Sequence, residues 1–154
     1  MTTSTSDSTS KYLVSVRRVI AAEPQTLFDI VADPAQHPVI DGSGSVKAAR
    51  TGGPSRLSLG AKFGMDMQLG ASYKILNTVV EFAEPSLIGW RHFNGHIWRY
   101  RFTPVDGGTE VIEEWDARPA KNRWLLLLTG FAGRNRKGMQ ATLARLEQVA
   151  RDRG

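Results

Sequence analysis

Several groups of side chains in this 154-residue sequence have types and spacing that could do chemistry. His37 and Asp41 stand four apart, and on a helix that spacing puts them on one face, where Asp41 could orient the imidazole as an acid/base pair. Alternatively, Asp41 ends the helix and bonds backbone in the Gly42-Ser43-Gly44 turn. Glu113 comes among aromatics if the hairpin register turns it inward; otherwise it is a Glu satisfied by Tyr100, His96 or an Arg, or one on the solvent face. A carboxylate among Trp98, Tyr100 and Trp115 would be desolvated, its pKa would rise, and it could act as a general acid or base. His92 and His96 flank Asn94-Gly95 at a hairpin mouth; zinc normally takes three or four protein ligands, spacing supplies no third, and no metal is expected. Arg123, Arg134 and Arg145 recur every eleven residues. On a continuous helix they form a stripe that could meet nucleic acid or acidic lipid, or be a solvated face. No recognised nucleic-acid motif accompanies them, and no nucleic-acid partner is expected.

These side chains need elements to hold them. Residues 12–20 alternate as a strand does, with Tyr12, Val14 and Val16 on one side. Glu23-Pro24 starts a helix, because proline's φ is preset and its missing N–H costs nothing at a first helical position. Asp33-Pro34 repeats the signal for a second short helix reaching about Ile40, and the Gly42-Ser43-Gly44 stretch ends it. Strand patterns follow over 46–49, 57–69, 72–82, 87–93, 97–103 and 109–115, divided by Gly, Pro, Asn-Gly and Asp-Gly punctuation that implies an antiparallel meander. Beyond Pro119 the period is helical: Trp124, Leu128, Phe131, Met139, Leu143, Leu146 and Ala150 share a broad stripe, with a break expected near residues 130–133 where glycines weaken it. The expected class is α+β, a curled antiparallel sheet whose concave side a long C-terminal helix plugs.

The inward face follows from two hairpins. On 97–103, Trp98, Tyr100 and Phe102 share a side with His96, and Arg99, Arg101 and Thr103 take the polar, outward side. A two-residue type I′ loop at Asp106-Gly107 sets Trp98 opposite Trp115, Tyr100 opposite Glu113 and Phe102 opposite Val111; a three-residue loop with Gly108 left-handed shifts the partners to Asp116, Glu114 and Ile112. The first register buries one carboxylate and the second two, so the first is preferred. A three-residue Phe93-Asn94-Gly95 loop likewise pairs His92 with His96 and Trp90 with Trp98. A two-residue Asn94-Gly95 turn would set Arg91 across from Trp98. The preferred registers line the interior with Ile88, Trp90, His92, His96, Trp98, Tyr100, Phe102, Val111, Glu113 and Trp115: bulky aromatics with few polar groups, the usual lining of a small-molecule pocket.

Composition excludes whole classes of function. Without cysteine there is no disulfide framework, thiolate zinc site, iron–sulfur cluster or Cys nucleophile. No Gly-x-Ser-x-Gly elbow or strand-linked Gly-x-Gly-x-x-Gly supports covalent hydrolysis or dinucleotide binding, and no cofactor is expected. Residues 1–10, nearly all Ser and Thr, read as a disordered tail without the features of a signal peptide, and a cytoplasmic protein is expected. The run Trp124-Leu125-Leu126-Leu127-Leu128 is far short of the ~20 residues that span a bilayer. It is read as packed core, or as a membrane-surface or dimer contact together with the basic C-terminal helix. The net charge of +5 resides in that helix: residues 119–154 hold eight Lys+Arg against two Asp+Glu.

The order strand, two short helices, antiparallel meander and long C-terminal helix, with “VRRVIAAEPQTLFDIVADPAQHP” at the front and “WRYRFTPVDGGTEVIEEWD” near the end, resembles the START-like or SRPBCC superfamily, specifically its bacterial polyketide cyclase/dehydrase-like members. The resemblance spans residues 11–152 as a single START-like ligand-binding domain. It implies a helix-grip fold enclosing a cavity for lipids, polyketides, steroids or other apolar ligands. Many relatives carry a Trp shortly after the Tyr-Pro or His-Pro of the second helix; here the chain reads His37-Pro38-Val39-Ile40, which marks a subgroup. The expected function is binding of a small hydrophobic or aromatic ligand as carrier or sensor, with Trp90, Trp98, Tyr100, Phe102 and Trp115 as walls and Glu113, His92 and His96 as anchors. The alternative is a cofactor-independent cyclase or dehydratase using Glu113 or His37/Asp41 as acid/base.

Overall fold

A computed structural model describes residues 12–92, 94–124 and 131–154, with the side chains of 131 and 132 outside the description. The strands are β1 (Leu13–Ile20), β2 (Val46–Ala49), β3 (Lys62–Leu69), β4 (Ala71–Ala83), β5 (Leu87–Arg91), β6 (Ile97–Val105) and β7 (Gly108–Asp116). Helix α1 (Pro24–Val31) and the four-residue α2 (His37–Ile40), joined by a 3₁₀ turn at Pro34–Gln36, follow β1, and α3 (Phe131–Arg153) closes the chain. The seven strands form one antiparallel sheet ordered β1-β7-β6-β5-β4-β3-β2. The sheet curls into a half-barrel with the long helix and the two short helices against it, the α+β arrangement expected from the element order and the helix-grip fold implied by the resemblance.

Local chemistry accounts for the short helices. Pro24 and Pro34 open their turns, and the Asp33 carboxylate accepts from the Ala35 N–H at 3.0 Å, satisfying a donor that a helix start leaves free. Met139, Leu143, Leu146 and Ala150 of α3 are buried, as their spacing requires. Helix α3 approaches the loop after α2 so closely that a Cβ on Gly42 would lie 2.4 Å from the Ala141 Cβ. There the Gly42 N–H donates to Thr142 Oγ1 at 2.9 Å.

The preferred registers hold. Trp98 faces Trp115, Tyr100 faces Glu113 and Phe102 faces Val111 across β6 and β7; Trp90 faces Trp98 across β5 and β6. Gly95 is left-handed at φ +95°, and the His92 N–H donates to the His96 carbonyl, which sets His92 opposite His96; Phe93 of the expected loop lies outside the described residues. The β6–β7 turn differs from type I′: Gly107 has φ +84° while Asp106 does not take a positive φ. The register survives because Val105 still pairs with Gly108, leaving two loop residues.

Two expectations are corrected. The third strand begins at Lys62, since residues 57–61 form a turn around Gly60 in which the buried Leu57 donates its N–H to the Ala32 carbonyl of the α1 segment. Arg99 is on the outer face as expected but is not solvated: it is 6% exposed. Its guanidinium donates to Glu81 and Asp116 and lies 3.7 Å from Glu114, so three carboxylates replace its hydration.

Candidate functional site

The concave face of β4 to β7 presents its side chains in cross-strand rows. The deepest joins Phe102 to Val111, and Phe28 of α1 meets Phe102 edge-on at 6.0 Å between ring centroids. The next holds Ile88, Tyr100, Glu113 and Val16; above it Val79, Trp90, Trp98, Trp115 and Val14 form an aromatic belt. Nearest the β5–β6 turn come His92 and His96, with rings stacked at 4.5 Å. Of the belt, Trp90 and Trp115 are buried and Trp98 is partly so.

Glu113 is 3% exposed. Tyr100 Oη donates to Glu113 Oε1 at 3.1 Å, whereas Oε2 is buried without a partner. Burial pushes the Glu113 carboxyl well above its ordinary 4.5; the negative charge of Asp41 adds to the rise and the Tyr100 hydrogen bond only partly opposes it. Burial and the neighbouring carboxylate hold the Tyr100 phenol well above 10. The neutral form of Glu113 is therefore favoured, and a neutral carboxyl has an O–H to donate.

His37 also reaches this interior. Its ring stacks on Trp90 at 4.9 Å and meets Phe63 edge-on at 5.5 Å, while Nε2 lies 2.7 Å from the Val31 carbonyl oxygen. Burial lowers its pKa. The structure does not join it to Asp41 as an acid/base pair. The Asp41 carboxylate accepts from the Ser43 N–H, the Ser43 hydroxyl and the Val46 N–H, so it organises the turn after α2. His92 and His96 are both kept neutral by burial, with pKa values pushed down to about 3 and about 4, the charge of His96 adding to the effect on His92. Their Nε2 and Nδ1 atoms, respectively, have no partner. Among the described residues no group of three or more His, Asp or Glu side chains comes together to hold a metal.

Sequence reasoning missed Asn77. It is 2% exposed, pairs with Phe63 across β3 and β4, and leaves Oδ1 unpartnered. The alternation of β4 is blurred by the adjacent apolar pairs Ile75-Leu76 and Val79-Val80 and by a bulge between Val79 and Glu81. The readable signal is register: continuing the Thr78 to Arg91 pairing by one residue sets Asn77 beside His92.

The basic stripe is engaged within the chain. Arg123 donates to the Arg118 carbonyl and lies over the Tyr12 ring, and Arg145 donates to the Asp41 carbonyl. Trp124 is 56% exposed, so this residue is not packed core; residues 125–128 of the apolar run lie outside the described residues, as do residues 1–11. Among the described residues no helix is long and apolar enough to cross a membrane. A separate surface cleft of about 520 Å³ lies between Ala21, Ala22, Glu23 and Pro24 and the β6–β7 turn, away from the aromatic belt.

The fold agrees with comparison to known proteins. The family model described as polyketide cyclase / dehydrase and lipid transport matches residues 12–151. The chain belongs to this family. A curated relative, the uncharacterized protein Rv0088 of Mycobacterium tuberculosis, is 40% identical over 141 residues, covering 87% of this chain and 62% of the relative, so the chain spans less than two thirds of that protein's length. Among solved structures, protein NE0264 from Nitrosomonas europaea superposes with a TM-score of 0.73 at 14% identity, covering 94% of this chain and 97% of its own. The AHSA1-like protein from Aeromonas hydrophila gives 0.64 at 18% identity, covering 92% and 94%. At these identities the two structures show a shared fold alone.

Proposed function

We propose that this chain binds a small, mostly apolar molecule against the concave face of its sheet and acts as a carrier or sensor. The observation that carries the reading is Glu113: a buried carboxyl bonded on one oxygen by Tyr100, unpartnered on the other, and bordered by the Trp90, Trp98 and Trp115 row. A polar group left unsatisfied in a protein interior is costly, and a ligand atom that pairs with Oε2 removes the cost. Aromatic walls supply apolar contact area and the carboxyl fixes orientation. The family description, which includes lipid transport, supports the same class of ligand. Native mass spectrometry of the purified protein should retain a neutral organic molecule, and Trp98→Ala should release it. Recovery of the bare chain alone, before and after incubation with an apolar extract, would overturn the proposal.

One observation favours a second reading, a cofactor-independent cyclase or dehydratase. A carboxyl with a raised pKa beside a phenol can give a proton to a carbonyl oxygen and take one from the adjacent carbon. In that case Glu113→Gln removes turnover of a bound carbonyl compound while changing its affinity far less; equal loss of both leaves Glu113 as an anchor only.

A further inference from the structure

The row above the aromatic belt holds three more buried polar atoms without partners: Asn77 Oδ1, His92 Nε2 and His96 Nδ1. They come from β4 and both sides of the β5–β6 turn, and the pairing of the strands sets Asn77, His92 and His96 side by side. The row rests on the belt, His92 meeting Trp98 edge-on at 6.3 Å and His96 lying 6.1 Å from Trp115. Buried polar atoms almost always have partners, so three adjacent exceptions facing one concave surface mark a place where another molecule supplies them. Asn77 Oδ1 can only accept, so its partner must be a donor, and each neutral imidazole offers one donor and one acceptor.

Spacing then sets the size of that molecule. Tyr100 and His96 are four residues apart along β6 and its entry, on the same face, which is roughly 13 Å at strand rise. Allowing about 2.8 Å for a hydrogen bond at each end leaves roughly 8 Å between the ligand's own polar atoms, close to the span of two fused aromatic rings. Burial favours the neutral forms of Glu113, His92 and His96, so an unpaired ligand charge would be expensive to bury there. We propose that Asn77, His92 and His96 form a second polar subsite across the belt from Glu113, which makes the ligand an uncharged, flat, fused-ring molecule with a hydroxyl at the Asn77 end and a hydroxyl or carbonyl at the Glu113 end. This rests on the concave-face binding site proposed above.

Isothermal titration calorimetry of the full chain with 2-naphthol, which has one hydroxyl, and 2,6-dihydroxynaphthalene, which has one at each end, tests it. The diol should bind at least 10-fold tighter than the mono-ol, and Asn77→Leu or His96→Phe should reduce that ratio to less than 3-fold. A diol no tighter than 2-naphthol, or an advantage that persists in folded Asn77→Leu protein, overturns the second subsite while leaving the binding site intact. If neither compound binds, the second subsite as stated is overturned, while the binding site itself stands or falls on the native mass spectrum. The comparison of the two compounds on the unmutated chain decides the matter even where a variant does not fold.

Discussion

Replacing Glu113 by Gln should stabilise the protein by an amount that grows with pH. The amide keeps the shape of a neutral carboxyl: its oxygen can accept from Tyr100, and its N–H₂ occupies the place of the unpartnered Oε2. The carboxyl is raised well above 4.5 by burial in the folded chain and returns to about that value on unfolding. A raised acid contributes stability fully below its unfolded pKa, and that contribution is lost as pH climbs from the unfolded to the folded value. Between pH 5 and 6 the unfolded chain releases nearly one proton that the folded chain keeps, worth about 1.2–1.4 kcal/mol. For a domain of this length that is about 2–5 °C in Tm. Other interior groups titrate nearby, and the depressed imidazoles of His37, His92 and His96 give a slope of opposite sign. They are present in both proteins, so the difference between the two Tm curves isolates Glu113. Thermal melts at half-unit steps from pH 4 to 7 should show curves that meet near pH 4 and separate upward. Curves that run parallel, or a variant that loses ground as pH rises, would mean that Glu113 is ionised in the fold, and the argument for a neutral anchor would fall.

Removal of Arg99 exposes the opposite situation on the outer face. Arg99→Met leaves Glu81 without its cation and takes one from Glu114 and Asp116, which keep Arg101 and Arg118, and should cost about 3–5 kcal/mol, read as a drop in urea midpoint with unchanged slope. In the same network, burial tends to raise the Asp116 carboxyl, but hydrogen bonds from Arg118 and Arg99 outweigh it and hold it at about 2; its stabilising contribution is present above pH 3.8 and should fade between pH 3.8 and 2, a loss absent in Asp116→Asn. The imidazoles of His92 and His96, held at about 3 and about 4, contribute fully above their ordinary 6.5, and the contribution declines as pH falls toward those values; a His92→Phe/His96→Phe double variant should have a flatter Tm profile between pH 6.5 and 4. Gly42→Ala places a methyl 2.4–2.6 Å from atoms of Ala141 and Thr142 and should lower stability by about 1–3 kcal/mol in chemical denaturation, since the helix must shift to admit it.

The division between what could be read along the chain and what could not follows the range of the forces involved. The hairpin registers were legible because loop length is local: two residues between Val105 and Gly108, three between His92 and His96, and each choice propagates down a whole strand pair. With the registers came the belt of Trp90, Trp98 and Trp115 and the inward carboxyl of Glu113. The helix-opening prolines and the buried stripe of α3 were legible for the same reason. His37 and Asp41 satisfied the spacing of a pair, yet the first turned its Nε2 to the Val31 carbonyl and the second to the backbone of the next turn. Spacing along a helix brings two side chains near each other without deciding which competing partner each takes. Asn77 and Arg99 depended on still more distant choices. A bulge on β4 and the approach of carboxylates from β4 and β7 determine their surroundings, and no pattern along one strand encodes how deeply a neighbouring strand will bury it. Period, caps and turns thus set the strands and the side each residue faces. Burial, charge state and the unpartnered atoms of the site arise only where strands remote in sequence close over one another and exclude water.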